Sequence, residues 1–101
     1  MIVADVSGLP LPGEEAALIT VMKELAAHFD QRWPLTVPRQ VAVDLTGETG
    51  RVHLLSVKES LAEHERQVAE QAADETYRAL LQRAAPLGVP GSVRTVLRRI
   101  V

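Results

Sequence analysis

The sequence has no cysteine, which excludes disulfide bonds and thiolate metal ligands. It has only three aromatic residues, so the core of the fold has to be built from Val, Leu, Ile and Ala. No apolar run approaches the roughly 18 residues that a membrane-spanning helix requires. The first residues also lack the basic and apolar regions of a signal peptide. Together these absences predict a cytoplasmic protein without a membrane span.

The length of the chain predicts one domain over residues 1–101, and its charged residues are unevenly distributed along the sequence. Arginine outnumbers lysine nine to two and alanine is frequent, which is typical of bacterial coding rich in G and C. The formal net charge is −2, yet no acidic residue follows Glu75. Five arginines do follow it, and this asymmetry marks a candidate surface for a partner or a nucleic acid: Arg78, Arg83, Arg94, Arg98 and Arg99.

The first half of the chain shows three clear patterns of regular structure. The stretch MIVADV, rich in β-branched residues, predicts a strand. Residues 14–31 predict an amphipathic helix, because apolar residues recur there every three or four positions. The segments VAVDL and GRVHLLSV alternate apolar and polar residues on either side of the turn 47–50, which predicts a β-hairpin. Asp44 and His53 fall on its polar face, where we expect a cross-strand ion pair.

The stretch 58–85 predicts one long helix that stops at the segment APLGVPG. Its second half carries a continuous apolar stripe, so we expect that half to pack on the sheet. Charged residues interrupt the stripe in the first half. We therefore expect an exposed helix surface there that includes Leu61, Glu65 and Val68.

The last segment, 92–101, has two interpretations. A helix would place the apolar residues on one face and the arginines on the other, and helical periodicity favours it slightly. A strand would have two mixed faces, but it would complete the ferredoxin-like βαββαβ order. The sequence thus predicts an α+β fold in which the first strand and the hairpin form a small antiparallel sheet. Two helices, about 14–31 and 58–85, and an amphipathic C-terminal segment pack on that sheet.

No set of residues converges on a catalytic or metal-binding pattern. His64 and Glu65 begin like a zinc-binding HExxH helix, but no second histidine follows at the required position. Ser60 and His64 lie one helical turn apart without a third group to orient them. We therefore predict no catalytic residue, no cofactor and no bound metal, and hence a protein that is not an enzyme.

Three functions remain open at this stage. The leading prediction is a small non-enzymatic protein for protein–protein interaction, assembly or regulation, which self-associates as a homodimer through sheet edges or the long helix. The alternative is a nucleic-acid-binding protein that uses the five C-terminal arginines. The third is a small-molecule sensor or small enzyme on a ferredoxin-like sheet. The order VAVDL…GRVHLLSV, helix and Val-rich terminus also resembles the alkaline-shock type of envelope-stress protein over about half of the chain, without a diagnostic motif that would assign the family.

Overall fold

Four strands form one sheet in which every neighbouring pair is antiparallel. The computed structural model describes residues 1–101, and the strands lie in the order β2-β3-β1-β4. This order, with one helical crossover after β1 and one after β3, is the ferredoxin-like arrangement. The predicted α+β fold is confirmed. The strands are β1 (Ile2–Gly8), β2 (Gln40–Val43), β3 (Val52–Lys58) and β4 (Arg94–Arg99).

Three helices cover one face of this sheet: α1 (Glu15–Arg32), α2 (Leu61–Gln71) and α3 (Glu75–Ala84). The predicted helix over 14–31 is confirmed as α1. The hairpin is also confirmed, although residues 44–51 make its loop longer than the four-residue turn. None of the helices combines the length and the hydrophobicity that a bilayer crossing requires.

The single helix predicted over 58–85 is wrong, because the chain breaks it between α2 and α3. Asp74 has an extended backbone conformation, and its side chain accepts a hydrogen bond of 2.7 Å from the backbone N–H of Tyr77. This N-cap satisfies a free N–H group at the start of α3. The short side chains around Asp74 gave no periodic signal of the break.

The helix favoured for the C-terminal segment is also wrong, since residues 94–99 form strand β4. This strand lies at the edge of the sheet and pairs with β1, with Thr95 opposite Val6 and Arg99 opposite Ile2. All of its residues are exposed. An edge strand with this exposure does not need one clean apolar face, so its mixed faces were no argument against it.

The core lies between α1, α3 and the strand β3. Phe29 stands at its centre, with ring centroids 5.8 Å from Trp33 and 5.2 Å from Tyr77. All three aromatic residues of the chain therefore meet in one place, where their large side chains fill the space between the helices. The buried cluster contains Leu18, Met22, Leu25, Ala26, Phe29, Trp33, Val52, Leu54 and Leu80.

Candidate functional site

An apolar pocket of about 460 Å³ lies between α1, α3, the sheet and the segment 88–93. Twelve of its 19 lining residues are hydrophobic. Its size and apolar lining are those of a small-molecule site. The walls come from Leu18, Met22, Leu25 and Phe29 of α1, Leu54 of β3, and Leu81 and Ala84 of α3.

Two polar side chains in this pocket have no hydrogen-bond partner in the protein. Gln71 is only 9% exposed and lines the pocket at the end of α2. Tyr77 lines it from α3, and burial raises the pKa of its hydroxyl. Tyr77 is therefore a protonated donor at neutral pH, whereas the Gln71 amide both donates and accepts. Neither group hydrogen-bonds within the protein, so both are free to hydrogen-bond a ligand in the pocket.

The mouth of the pocket is held by contacts between the two segments that follow β1 and α3. The backbone N–H of Val89 donates to the carbonyl of Leu9 at 2.8 Å, and the backbone N–H of Leu9 donates to Oγ of Ser92 at 3.1 Å. The buried guanidinium of Arg51 donates to the carbonyl of Ser92 at 2.8 Å. These bonds fix the rim. The sequence had indicated a helix stop at this position.

A layer of polar side chains lies under α2, next to the apolar pocket. It consists of Ser56, Lys58, Gln67 and Gln71, each at most 9% exposed, and we call it the polar layer. Nζ of Lys58 lies 2.9 Å from Nδ1 of His64. Burial, and then the positive charge of nearby Arg39, lowers the pKa of Lys58 to about 8.

His64 and Arg39 complete the surroundings of the polar layer. Burial, and then the charge of Lys58, lowers the pKa of His64. The ring is therefore a neutral imidazole, and its Nδ1 accepts a hydrogen bond from the Lys58 ammonium group. Arg39 donates to Asp30 at 3.1 Å, to the carbonyl of Trp33 at 2.9 Å and to Gln67 at 3.3 Å. Asp30 pairs directly with Arg39, whereas Lys58 is in no ion pair and the negative charge of Glu63 only partly offsets the lowering of its pKa.

The sheet face opposite the helices carries a chain of charges. His53 has Nδ1 2.8 Å from Asp5 and Nε2 2.9 Å from Asp44, and Arg98 donates to Asp5 at 3.0 Å. The expected Asp44–His53 pair is therefore confirmed. Burial disfavours the charge on His53, but the hydrogen bonds to Asp5 and Asp44, with their negative charges, outweigh it and raise the pKa of the ring. Asp5 was missed, because it lies within the apolar stretch MIVADV.

The five arginines of the predicted partner surface lie on two elements, Arg78 and Arg83 on α3 and Arg94, Arg98 and Arg99 on β4. Arg83 pairs with Glu24 of α1 at 2.7 Å, and Arg78 donates to a backbone carbonyl at the α2–α3 junction. Arg94 pairs with Glu48 at 2.6 Å, and Arg98 lies on the helix-free face with Asp5. Arg99 follows on the opposite face of β4, because side chains alternate along a strand. Binding of a partner or nucleic acid by these arginines stays a prediction.

The predicted helix surface of Leu61, Glu65 and Val68 is exposed on α2. Leu61 is 49% and Val68 46% exposed. Use of this surface by a partner also stays a prediction.

The comparisons with known proteins concern the fold. No protein-family model and no curated protein sequence matches the chain. Solved structures do. An uncharacterized NIPSNAP domain protein from Burkholderia xenovorans has a TM-score of 0.78 at 12% identity, over 100% of this chain and 95% of its own. A candidate antibiotic biosynthesis monooxygenase from Deinococcus radiodurans has a TM-score of 0.74 at 13% identity, over 100% and 93%. Another such candidate, from Caulobacter crescentus, has a TM-score of 0.75 at 18% identity, over 99% of this chain and 89% of its own.

The chain shares their fold. This finding corrects the leading prediction of a non-enzymatic interaction, assembly or regulatory protein, and with it the prediction that the protein is not an enzyme. One protein of this fold is described as an antibiotic biosynthesis monooxygenase, and several more are described as candidates for that activity. The third prediction, a sensor or small enzyme on a ferredoxin-like sheet, is the one that agrees with them.

Sequence reasoning missed the site because an apolar stripe looks the same whether it closes a core or lines a cavity. Two signals were nevertheless present. Gln67 and Gln71 lie one turn apart on the inner face of α2, where apolar residues were expected. Along one face of β3 the side chains change from Val52 and Leu54 to Ser56 and Lys58. Both patterns indicate a polar region beside the core.

Proposed function

We propose that the protein is a small-molecule enzyme that binds a mostly apolar, ring-containing substrate in the apolar pocket. The observation that carries this proposal is the pocket itself, with its hydrophobic walls and the two unpartnered polar groups of Gln71 and Tyr77. The reaction we propose is oxidation by dioxygen, in keeping with the monooxygenases described among proteins of the same fold.

The chemistry of the pocket supports a substrate with one polar substituent on a ring. Leucine, methionine and phenylalanine side chains stabilise an apolar ring by removing it from water. The Tyr77 hydroxyl and the Gln71 amide then bind a hydroxyl or carbonyl group and fix the orientation of the ring. A pocket with apolar walls and a few polar groups selects ligands in this way.

1-Naphthol is a suitable first probe, because it has two fused rings and one hydroxyl group. Its oxidation by dioxygen to a naphthoquinone and water takes all the electrons from the substrate and consumes no other reductant. We expect the protein to accelerate this reaction. When the dioxygen is isotopically labelled, we expect one labelled oxygen atom in the product. Oxygen consumption and mass spectrometry of the product measure both.

The variant Leu81→Trp tests whether the substrate binds in the apolar pocket, because it places a large ring at the wall of that pocket. Leu61→Trp is its control on the exposed surface of α2. Loss of turnover in the first and full turnover in the second would support the proposal. Binding without turnover in the native protein would instead indicate a sensor, and absence of binding would contradict the proposal.

Self-association and a cytoplasmic location are further proposals. The helix-free face of the sheet exposes apolar side chains beside its charges, among them Val96, and the edge strands β2 and β4 have no neighbour on one side. A second copy of the chain would cover such surfaces. Size-exclusion chromatography with light scattering tests this, and a monomer at high concentration would contradict it.

A further inference from the structure

The rim of the apolar pocket, residues 88–93, is the one wall without regular secondary structure, since every other lining residue belongs to a helical segment or a strand. Within the rim, the N–H of Ser92 donates to the carbonyl of Val89 at 3.1 Å and closes a turn. Pro90 and Gly91, which has a φ of 77°, occupy the two central positions of this turn, as their backbone preferences favour. Val89 is 37% exposed. A short exposed segment of this kind opens more readily than the helices and the sheet around it.

The rim is held in place from two directions. On one side it hydrogen-bonds to Leu9, in the chain that follows β1. On the other side, Nη1 of Arg51 donates to the carbonyl of Ser92 at 2.8 Å and to Oγ of Ser7 on β1 at 3.1 Å. Arg51 directly precedes β3, so its side chain reaches past β1 to the segment that leads into β4.

Glu48, in the loop of the β2–β3 hairpin, connects Arg51 with Arg94. One carboxylate oxygen accepts a hydrogen bond from Arg51 at 3.1 Å, and the other accepts from Arg94 at 2.6 Å. Arg94 is the first residue of β4 and follows the rim directly. The hydrogen bond from Arg51 is the main cause that lowers the pKa of Glu48, and the bond from Arg94 adds to it, so the carboxylate stays charged at neutral pH. We call Glu48, Arg51 and Arg94 the Glu48 cluster.

We propose that the rim is the gate through which a ligand enters and leaves the apolar pocket, and that the Glu48 cluster holds this gate closed. This inference rests on the proposed function, because a gate serves only a pocket that binds a ligand. When closed, the rim completes the wall and excludes water from the bound ring. Opening separates Arg94 from Glu48, and an exposed ion pair of this kind breaks at a small cost. The three residues of the cluster are positioning residues, since none of them lines the pocket.

Arg94→Gln tests the gate, because it removes one ion pair of the cluster and leaves the lining of the pocket unchanged. Arg83→Gln is the matched control, since it removes the ion pair between Arg83 of α3 and Glu24 of α1. The two pairs have similar lengths, 2.6 and 2.7 Å. Their side chains are also similarly exposed, 59% and 40% for Arg94 and Glu48 against 54% and 44% for Arg83 and Glu24.

Stopped-flow fluorescence of 1-naphthol measures the rate constants of association and dissociation. Because the ligand passes only through the open rim, we expect Arg94→Gln to raise both rate constants roughly two- to fivefold and to leave the Kd unchanged. Glu48→Gln should raise both further, because it also releases Arg51. Arg83→Gln should keep the native rates, and a thermal melt of each variant shows that it folds. Native rates in Arg94→Gln would overturn the inference, as would faster dissociation alone with weaker affinity.

Hydrogen exchange of the backbone amides tests the gate without a ligand. The N–H groups of Leu9 and Val89 form the hydrogen bonds between the rim and the chain after β1, so they exchange with solvent when the rim opens. We expect exchange roughly two- to fivefold faster in Arg94→Gln and unchanged in Arg83→Gln. Native exchange in Arg94→Gln would overturn the inference. If 1-naphthol binds none of the proteins, the proposed function fails, and faster exchange in Arg94→Gln would still support the opening of the rim.

Discussion

Nδ1 of His53 lies 2.8 Å from Oδ1 of Asp5, and the other ring nitrogen lies 2.9 Å from Asp44. A carboxylate only accepts hydrogen bonds, so both ring nitrogens have to donate and the ring is an imidazolium. Arg98 binds the second oxygen of Asp5. These charged contacts connect β1, β3 and β4 on the helix-free face.

The first prediction concerns the pH dependence of this cluster. Because the pKa of His53 is raised above 6.5 in the folded state, its contribution to stability is complete below pH 6.5 and is lost as pH rises through the folded pKa. We expect the Tm of native protein to exceed that of His53→Gln at about pH 5 and the difference to shrink by about pH 9. Calorimetric melts over this range measure it. A difference that grows with pH would contradict the expected protonation.

The second prediction is that Lys58→Met stabilises the protein at neutral pH. The pKa of Lys58 is about 8, below its ordinary value of 10.5, so the fold disfavours the charged form. We expect a gain of about 1–3 kcal/mol in the free energy of unfolding at pH 7. The gain should decline as pH rises from about 8 and vanish near 10.5, where the unfolded chain also loses its proton. Denaturant titrations of this variant and of Lys23→Met give the comparison, and a loss of stability at pH 7 would contradict it.

The third prediction concerns Asp74, which caps α3 and accepts a hydrogen bond of 2.9 Å from His28 of α1. The backbone hydrogen bond from Tyr77, and then His28 and Arg32, lower the pKa of Asp74 despite an opposing effect of burial. We expect Asp74→Ala to lower the Tm more than Asp74→Ser, because serine retains the cap but not the charge. The native advantage over Asp74→Ser should be lost as pH falls through the folded pKa. Equal melts for all three proteins at neutral pH would show that the cap is unimportant.

The fourth prediction separates ligand binding from folding in the pocket. Tyr77→Phe and Gln71→Leu each remove a polar group that has no partner in the protein, so we expect little change in Tm. Each should weaken binding of 1-naphthol roughly three- to tenfold, as the loss of one hydrogen bond implies. Naphthalene, which lacks the hydroxyl, should bind native protein and both variants alike. Isothermal titration of the two ligands gives the comparison. If a substitution weakens the binding of both ligands equally, it has changed the shape of the pocket.

The sequence predicted the elements whose patterns are local. The helix α1 and the β2–β3 hairpin have clear periods, and each was found within a few residues of its true bounds. The break at Asp74 was not found, because a single capping side chain leaves no periodic trace. The edge strand β4 was predicted only as the alternative that completes the ferredoxin-like order, because its periodicity favoured a helix. Both the break at Asp74 and the strand β4 depend on tertiary contacts.

The site depended even more on contacts between distant segments. The pocket joins α1, α3, β3 and the rim 88–93, and no short stretch of sequence shows that these residues enclose a space. The polar layer was in principle visible, since Gln67, Gln71 and Lys58 occupy positions that face the helix–sheet interface. Their polarity there conflicts with a simple core, and such conflicts are expected at functional sites.

Binding of 1-naphthol to native protein, Leu81→Trp and Leu61→Trp, followed by NMR chemical-shift changes of the backbone amides, tests the proposed ligand site most directly. We expect shifts centred on the residues that line the apolar pocket, loss of binding in Leu81→Trp, and native affinity in Leu61→Trp. Shifts confined to the helix-free face, or native affinity in Leu81→Trp, would contradict a ligand site between α1, α3 and the sheet.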